Sequence, residues 1–216
     1  ALAEQAARDI DALSRQVAAS AAAATAATGV ATSTAALADV VSGLGSDNTL
    51  RMKLSAFVLA GRLERVVELA NERLQRMGDG RFHLAHSDRL ASGGRRSGLG
   101  LVVQDEWTGQ VRDTATLSGG ESFMASLALA LGLADAVREE SGGIDLHTLF
   151  IDEGFGSLDG ESLEQVMEVL DQLQDGGRAV GVVSHVPALR DRIPAQVQVD
   201  KTRRGSTVRR VTGPAA

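Results

Sequence analysis

Two short apolar runs constrain this chain more than any other feature. "LFI", residues 149–151, leads directly into Asp152 and Glu153, and "AVGVV", residues 179–183, leads into Ser184 and His185. Between them "ESLEQVMEVLDQLQ" sets Leu163, Val166, Met167, Leu170 and Leu173 on one helical face. Short apolar runs alternating with helices predict an α/β fold with parallel strands covered by helices on both faces. A further helix, from about residue 121 to 138, feeds the first run. Ligands of such sheets collect at the carboxyl ends of the strands, where both runs here turn polar.

The rest of the chain sorts around that unit. Residues 1–46 are rich in Ala, Thr and Ser, with Ile10, Leu13 and Val17, then Leu37, Val41 and Leu44, spaced by threes and fours. That pattern fits the end of a coiled coil, and its small-residue middle fits a linker equally. Residues 47–216 form the second region. It opens with a helix capped by Ser46 or Asp47 and stopped by Gly78 and Gly80, carrying Leu50, Leu54, Phe57, Val58, Leu63, Val66, Val67, Ala70, Leu74 and Met77 at helical spacing. The arginines of this helix read as a solvated face. "RFHLAHS" and "GLGLVVQDEW" read as strands around the loop "ASGGRRSG", and two short strands near 195–199 and 207–211 close the chain.

Cysteine is absent, which excludes disulfides and thiolate zinc sites, and four scattered histidines do not make a metal cage. The first residues lack a signal pattern and no apolar run reaches membrane-spanning length, so a soluble cytoplasmic segment of a longer chain, without a membrane partner, is expected. A net charge of −6 neither demands nor forbids a local basic stripe.

The strand ends suit phosphate chemistry. Asp152 is placed to hold Mg²⁺, which favours one or two carboxylates plus phosphate oxygens, and Glu153 to orient or deprotonate a water. His185, at the next strand end, is placed to contact a terminal phosphate. In "TLSGGESF" the Ser118 hydroxyl and the amides of Gly119, Gly120 and Glu121 sit at the positive end of the following helix, an anion site in which glycine lets backbone approach. Each feature has a plain alternative: a surface turn for Asp152 and Glu153, a structural histidine, a simple helix cap for Ser118, and a cap or turn residue for Asp159 in "SLDG".

In order, "LSGGE", "LFIDEGFGSLD" and "VVSHV" resemble the signature motif, Walker B with D-loop, and H-loop of ABC-type ATPases. The resemblance implies the carboxyl-terminal half of a P-loop NTPase head using ATP and Mg²⁺. Two such heads enclose ATP head to tail. Ser118, Gly119 and Gly120 would then contact the γ-phosphate held by the opposing head, while Asp152 assists Mg²⁺. Glu153 would be the catalytic base, Asp159 would communicate across the dimer, and His185 would contact γ-phosphate in its own half. G-x-x-x-x-G-K-[ST] is missing, since neither lysine, Lys53 or Lys201, follows a glycine. Walker A is therefore expected in a separate amino-terminal half of the head, and the segment alone is expected to be inactive.

A half head preceded by a coiled-coil-like stretch is the layout of the SMC-like branch. "FVLAGRLERVVELANERLQRMGDGRFHL", "LSGGESFMASLALALGLAD" and "GGRAVGVVSHVPALRDRIP" resemble its SbcC group across roughly residues 50–199. That resemblance implies a second head, an SbcD-type nuclease and double-stranded DNA ends as partners. It further implies a nucleoid-associated cytoplasmic location and a role in DNA repair, with the group's Cys-x-x-Cys hook outside these residues. An SMC-type chromosome organiser without a nuclease and a transporter ATPase remain the other readings. Arg95, Arg96, Lys201, Arg203, Arg204, Arg209 and Arg210 are the basic candidates for DNA phosphate, or else soluble strand edges.

Overall fold

The computed structural model describes residues 2–87, 99–142, 147–203 and 205–212. Arg95, Arg96 and Arg204 lie outside the described residues. The elements run α1 (Leu2–Ser42), α2 (Leu54–Met77), β1 (Phe82–Ser87), β2 (Gly100–Asp105), β3 (Gln110–Asp113), α3 (Gly119–Glu140), β4 (Thr148–Asp152), α4 (Gly160–Asp175), β5 (Ala179–Val183), α5 (Pro187–Arg192), β6 (Ala195–Thr202) and β7 (Gly205–Thr212). They divide into two compact units, residues 1–61 with 88–100, and residues 62–87 with 101–216.

The first unit contains α1, a helix of 41 residues with none buried. Its Thr and Ser hydroxyls do not break it because those of Thr25, Thr28, Thr32, Ser33 and Thr34 each bond the carbonyl four residues back. The helix expected from residue 46 begins only at Leu54. Asn48 explains the delay: its Nδ2 donates to the carbonyls of Val40 and Met52, and its Oδ1 accepts from Met52 N, so side-chain bonds replace helical ones. Arg51 takes φ 48°, and Leu54, Phe57, Val58 and Leu59 at the start of α2 are exposed.

The second unit holds the core. From α2 come Val67, Ala70, Leu74 and Met77, from α3 Met124, Leu127, Ala128 and Leu131, and from α4 Val166, Met167, Val169, Leu170 and Leu173. The arginines of α2 are more than a solvated face. Arg65 bonds Glu139 at 2.8 Å and Arg76 bonds Gln172 at 2.8 Å. Arg73 and Arg178 share the two oxygens of Asp135. Asn71, buried, ties α2 to β1 by donating to the Leu84 carbonyl at 2.9 Å and accepting its amide at 2.8 Å.

Strands β1, β2 and β3 form one sheet in that order, β4 and β5 a parallel pair, and β6 and β7 an antiparallel hairpin. In the parallel pair Phe150 sits opposite Gly181 and Asp152 opposite Val183. Leu149, Ile151, Val180 and Val182 pack on the core. Among the described residues the helical cover expected on both faces exists on one: Phe150 is 74% and Val183 54% exposed on the other. Val197, Val199 and Val208 of the hairpin are exposed as well.

Length and composition also correct the membrane expectation. Among the described residues α1 and α3 are both long and apolar enough to cross a bilayer. In α3 that apolarity serves the core; in α1 it comes from alanine.

Candidate functional site

β4 ends at Asp152, which is exposed, and the chain then turns sharply. Glu153 adopts φ 59°, a left-handed setting that costs a non-glycine residue on the order of 1 kcal/mol. Two bonds accompany it: Glu153 N donates to the Val183 carbonyl at 2.8 Å, and His185 Nδ1 stands 3.0 Å from Glu153 Oε2. The carboxylate and histidine assigned from separate strand ends are thus in direct contact. Gly154 follows at φ 99°, which glycine adopts without a Cβ clash, and a single 3-10 turn, Phe155–Ser157, leads into α4. Asp159 caps that helix by accepting from Ser162 N at 2.8 Å. Bonds from the Ser162 amide and hydroxyl hold its carboxyl below the ordinary range. In the folded chain Asp159 is thus the cap of α4.

Ser118 caps α3 in a reciprocal box: Glu121 N donates to Ser118 Oγ at 3.3 Å and Ser118 N to Glu121 Oε2 at 2.9 Å. The Glu121 amide is therefore already bonded within the chain, and the Gly119 and Gly120 amides lie outside that box. Both glycines have a packing reason hidden from the sequence. A Cβ on Gly120 would stand 2.9 Å from the Ser157 carbonyl oxygen, and one on Gly119 3.3 Å from Ser157 Cβ. The His185 ring in turn lies 3.6 Å from where a Cβ on Gly156 would be. Residues 153–159 thus gather Ser118, Gly119, Gly120, Glu153, Asp159 and His185 about one turn. Lys201, Arg209 and Arg210 are elsewhere, on the β6–β7 hairpin, with Arg209 3.7 Å from Asp200.

Sequence reasoning missed the residues that support Glu121. Arg81 approaches its carboxylate at 3.6 Å and Arg112 at 3.7 Å. Both also reach the buried Asp105, Arg81 at 2.9 Å and Arg112 at 3.5 Å. The Arg81 hydrogen bond leads in holding Asp105 below the ordinary carboxylate range, against desolvation, which acts the other way. Among the described residues Arg112 Nε and Nη2 are buried without a hydrogen-bond partner, and the guanidinium lies over the Phe82 ring at 5.5 Å. No local pattern marks such a cluster, because its members come from three separated stretches.

The donor set fits Mg²⁺ carried on a nucleotide. Among the described residues no group of three or more His, Asp or Glu side chains gathers as a metal cage. One exposed carboxylate, Asp152, at a strand end is what an ion held mainly by phosphate oxygens and water requires.

A family model described as SbcC/RAD50-like, Walker B motif, matches residues 95–172. That span includes Ser118, Asp152, Glu153 and Asp159 and stops short of His185. The curated SbcC subunit of nuclease SbcCD from Treponema pallidum is 47% identical over 172 residues, 80% of this chain and 16% of its own length. Its counterpart from Vibrio cholerae is 49% identical over 176 residues, 82% of this chain and 17% of its own.

The chain belongs to the SbcC family.

It corresponds to the carboxyl-terminal part of SbcC and spans only about a sixth of the length of these relatives. The SbcC segment also shares its fold with SMC heads. A solved SMC ATPase superposes with a TM-score of 0.54 at 14% identity, covering 73% of this chain and 89% of that one. The Smc head domain with an extended coiled coil from Pyrococcus furiosus, bound to the C-terminal domain of ScpA, gives 0.50 at 13%, covering 76% and 39%. The α/β head expected from the sequence is therefore the fold of this SbcC segment.

Proposed function

We propose that this chain is one half of an ATPase head whose missing half covers the bare face of β4 and β5. The observation that carries the reading is the exposure of Phe150 and Val183 beside Asp152 on that face. Parallel strands are almost always covered on both faces, and a two-stranded sheet with open edges is incomplete by itself. An amino-terminal half bringing Walker A would bury these side chains and deliver nucleotide to the strand ends.

In the completed head Asp152 helps hold Mg²⁺, which supplies charge neutralisation on the phosphates. Glu153, bonded to His185, takes the proton of the attacking water, and His185 contacts the γ-phosphate. The amides at Gly119 and Gly120, with Ser118, meet the γ-phosphate of a second head, and Asp159 lies beside that interface. α1 is one strand of a coiled coil, which would cover its exposed Ile10, Leu13 and Val17. The relatives bear the name of the SbcC subunit of nuclease SbcCD, which supports an SbcD-type nuclease partner. Double-stranded DNA ends as substrate, a role in repair and a cytoplasmic, nucleoid-associated location complete the proposal. Identity of 47–49% to those relatives favours this assignment over an SMC chromosome organiser.

The test mixes this chain with the separately produced amino-terminal half and follows association and ATP hydrolysis, with and without DNA ends. Hydrolysis is expected only on mixing, is lost with Glu153→Gln, and association weakens with Phe150→Asp. Halves that associate yet never hydrolyse ATP would remove Glu153 from its role.

A further inference from the structure

The turn after β4 makes a contact that the proposed chemistry leaves unused. Gly154 faces the Phe123 ring so closely that a Cβ there would stand 2.2 Å from Phe123 Cδ2. Phe123 comes from the first turns of α3, five residues after Ser118, and its ring also meets that of Phe155, with centroids 5.0 Å apart and planes tilted 59°. Phe155 is 1% exposed, so the pair is anchored in the core. Two residues further on, Ser157 lies under Gly119 and Gly120, and its Oγ donates to the Gly154 carbonyl at 2.7 Å.

The start of α3 therefore grips residues 154–157 at two points, through its glycines on Ser157 and through Phe123 on Gly154. Close-packed contacts pass on a displacement because neither side has empty space to yield into. The residue next to the second grip is Glu153, whose left-handed backbone persists only where its surroundings over-determine it.

The geometry points to Phe123 as a positioning residue for Glu153: its ring fixes Gly154, and so ties the setting of the carboxylate to the position of the 118–120 turn. The inference rests on the ATPase reading above and adds a direction to it. In a head-to-tail pair the two ends of this contact serve different nucleotides. The 118–120 turn meets the nucleotide held by the opposing head, whereas Glu153 acts on that of its own. One aromatic side chain then makes hydrolysis in one site depend on whether the turn has engaged the other. Phe123 itself touches no reacting atom.

The experiment uses heads assembled from this chain and its amino-terminal half, carrying two different tags so that each purified pair has one working Glu153 and one Glu153→Gln. Phe123→Ala is placed either in the chain with the working Glu153 or in the chain with the Gln. The first arrangement is expected to lower kcat at least ten-fold, with KM for ATP within two-fold. The second is expected to leave kcat within two-fold, and Phe123→Tyr in the first is expected to restore most of the rate. Phe123→Leu, which keeps apolar volume without the flat ring, provides the same comparison if the alanine chain fails to fold. Equal loss in both arrangements, loss confined to the second, or no loss overturns the inference alone. Absence of hydrolysis in the pair with both Phe123 residues intact overturns the ATPase reading and this inference with it.

Discussion

Gly132→Ala should destabilise the chain although alanine is the better helix former. Gly132 lies midway along α3 where that helix crosses α2. A Cβ there would stand 2.5 Å from the Val66 carbonyl oxygen, 2.8 Å from the Ala70 amide nitrogen and 3.0 Å from Ala70 Cβ. Val66 and Ala70 are four residues apart, so the methyl would press on both ends of one backbone hydrogen bond of α2. The closest approach falls about 0.9 Å short of ordinary van der Waals contact, and backbone cannot rotate aside as a side chain can. Overpacking of this kind costs about 1–3 kcal/mol, and two clashes with backbone atoms beside a tight side-chain contact place it near the upper end. Helix propensity returns about 1 kcal/mol, leaving a net loss of about 2 kcal/mol. For a chain of this size that lowers Tm by about 4–8 °C. Gly61→Ala is the control: a Cβ there meets nothing within 4 Å, so the propensity gain stands alone and Tm should rise by about 2–4 °C. Thermal unfolding followed by far-UV circular dichroism reads both. A Gly132→Ala chain melting at or above the parent would refute the tight crossing of α2 and α3.

Two further perturbations probe the same unit. Asn71→Leu strands the Leu84 amide and carbonyl without partners, and urea unfolding should show a loss of about 2–4 kcal/mol; a change below the error of extrapolation would contradict the clamp between α2 and β1. Desolvation works against ionisation of Asp135 but is outweighed by hydrogen bonds and charge from Arg178 and Arg73, so its carboxyl lies below its ordinary value of 3.8. The stabilisation is therefore complete above pH 3.8 and is lost as pH falls through the lowered folded value. The stability gap between the parent and Asp135→Asn should accordingly be widest near neutrality and shrink in acid, and urea titrations showing a gap that grows on acidification would reverse the assignment.

Periodicity is a local signal, and the elements it marks strongly were legible. α3, α4, β4 and β5 fall within a few residues of where spacing put them, and the longer stretches around the motifs, rather than the motif order, pointed to the SbcC family. β3 escaped because its four residues, Gln110 to Asp113, carry one aliphatic side chain and depend on pairing with β2. α5 is too short for periodicity, and only Pro187 in its first turn marks it. The late start of α2 turned on Asn48, an ordinary polar residue until its two carbonyl partners are known. In the site the types and order of Ser118, Asp152, Glu153 and His185 were readable, but the contact of Glu153 with His185 was not. Arg81 and Arg112 behind Glu121 were also invisible, as was the Phe123 ring on Gly154. Those contacts join residues remote in the chain, and Phe123 carries the same apolar signature as any core residue.

At 1.5 Å per residue α1 is about 60 Å long, and its foot is stapled where Asn48 bonds both Val40 and Met52. A rod of that length is a lever arm about that staple. Each 10° of tilt there moves a point about 60 Å along the helix through about 10 Å, the width of a helix.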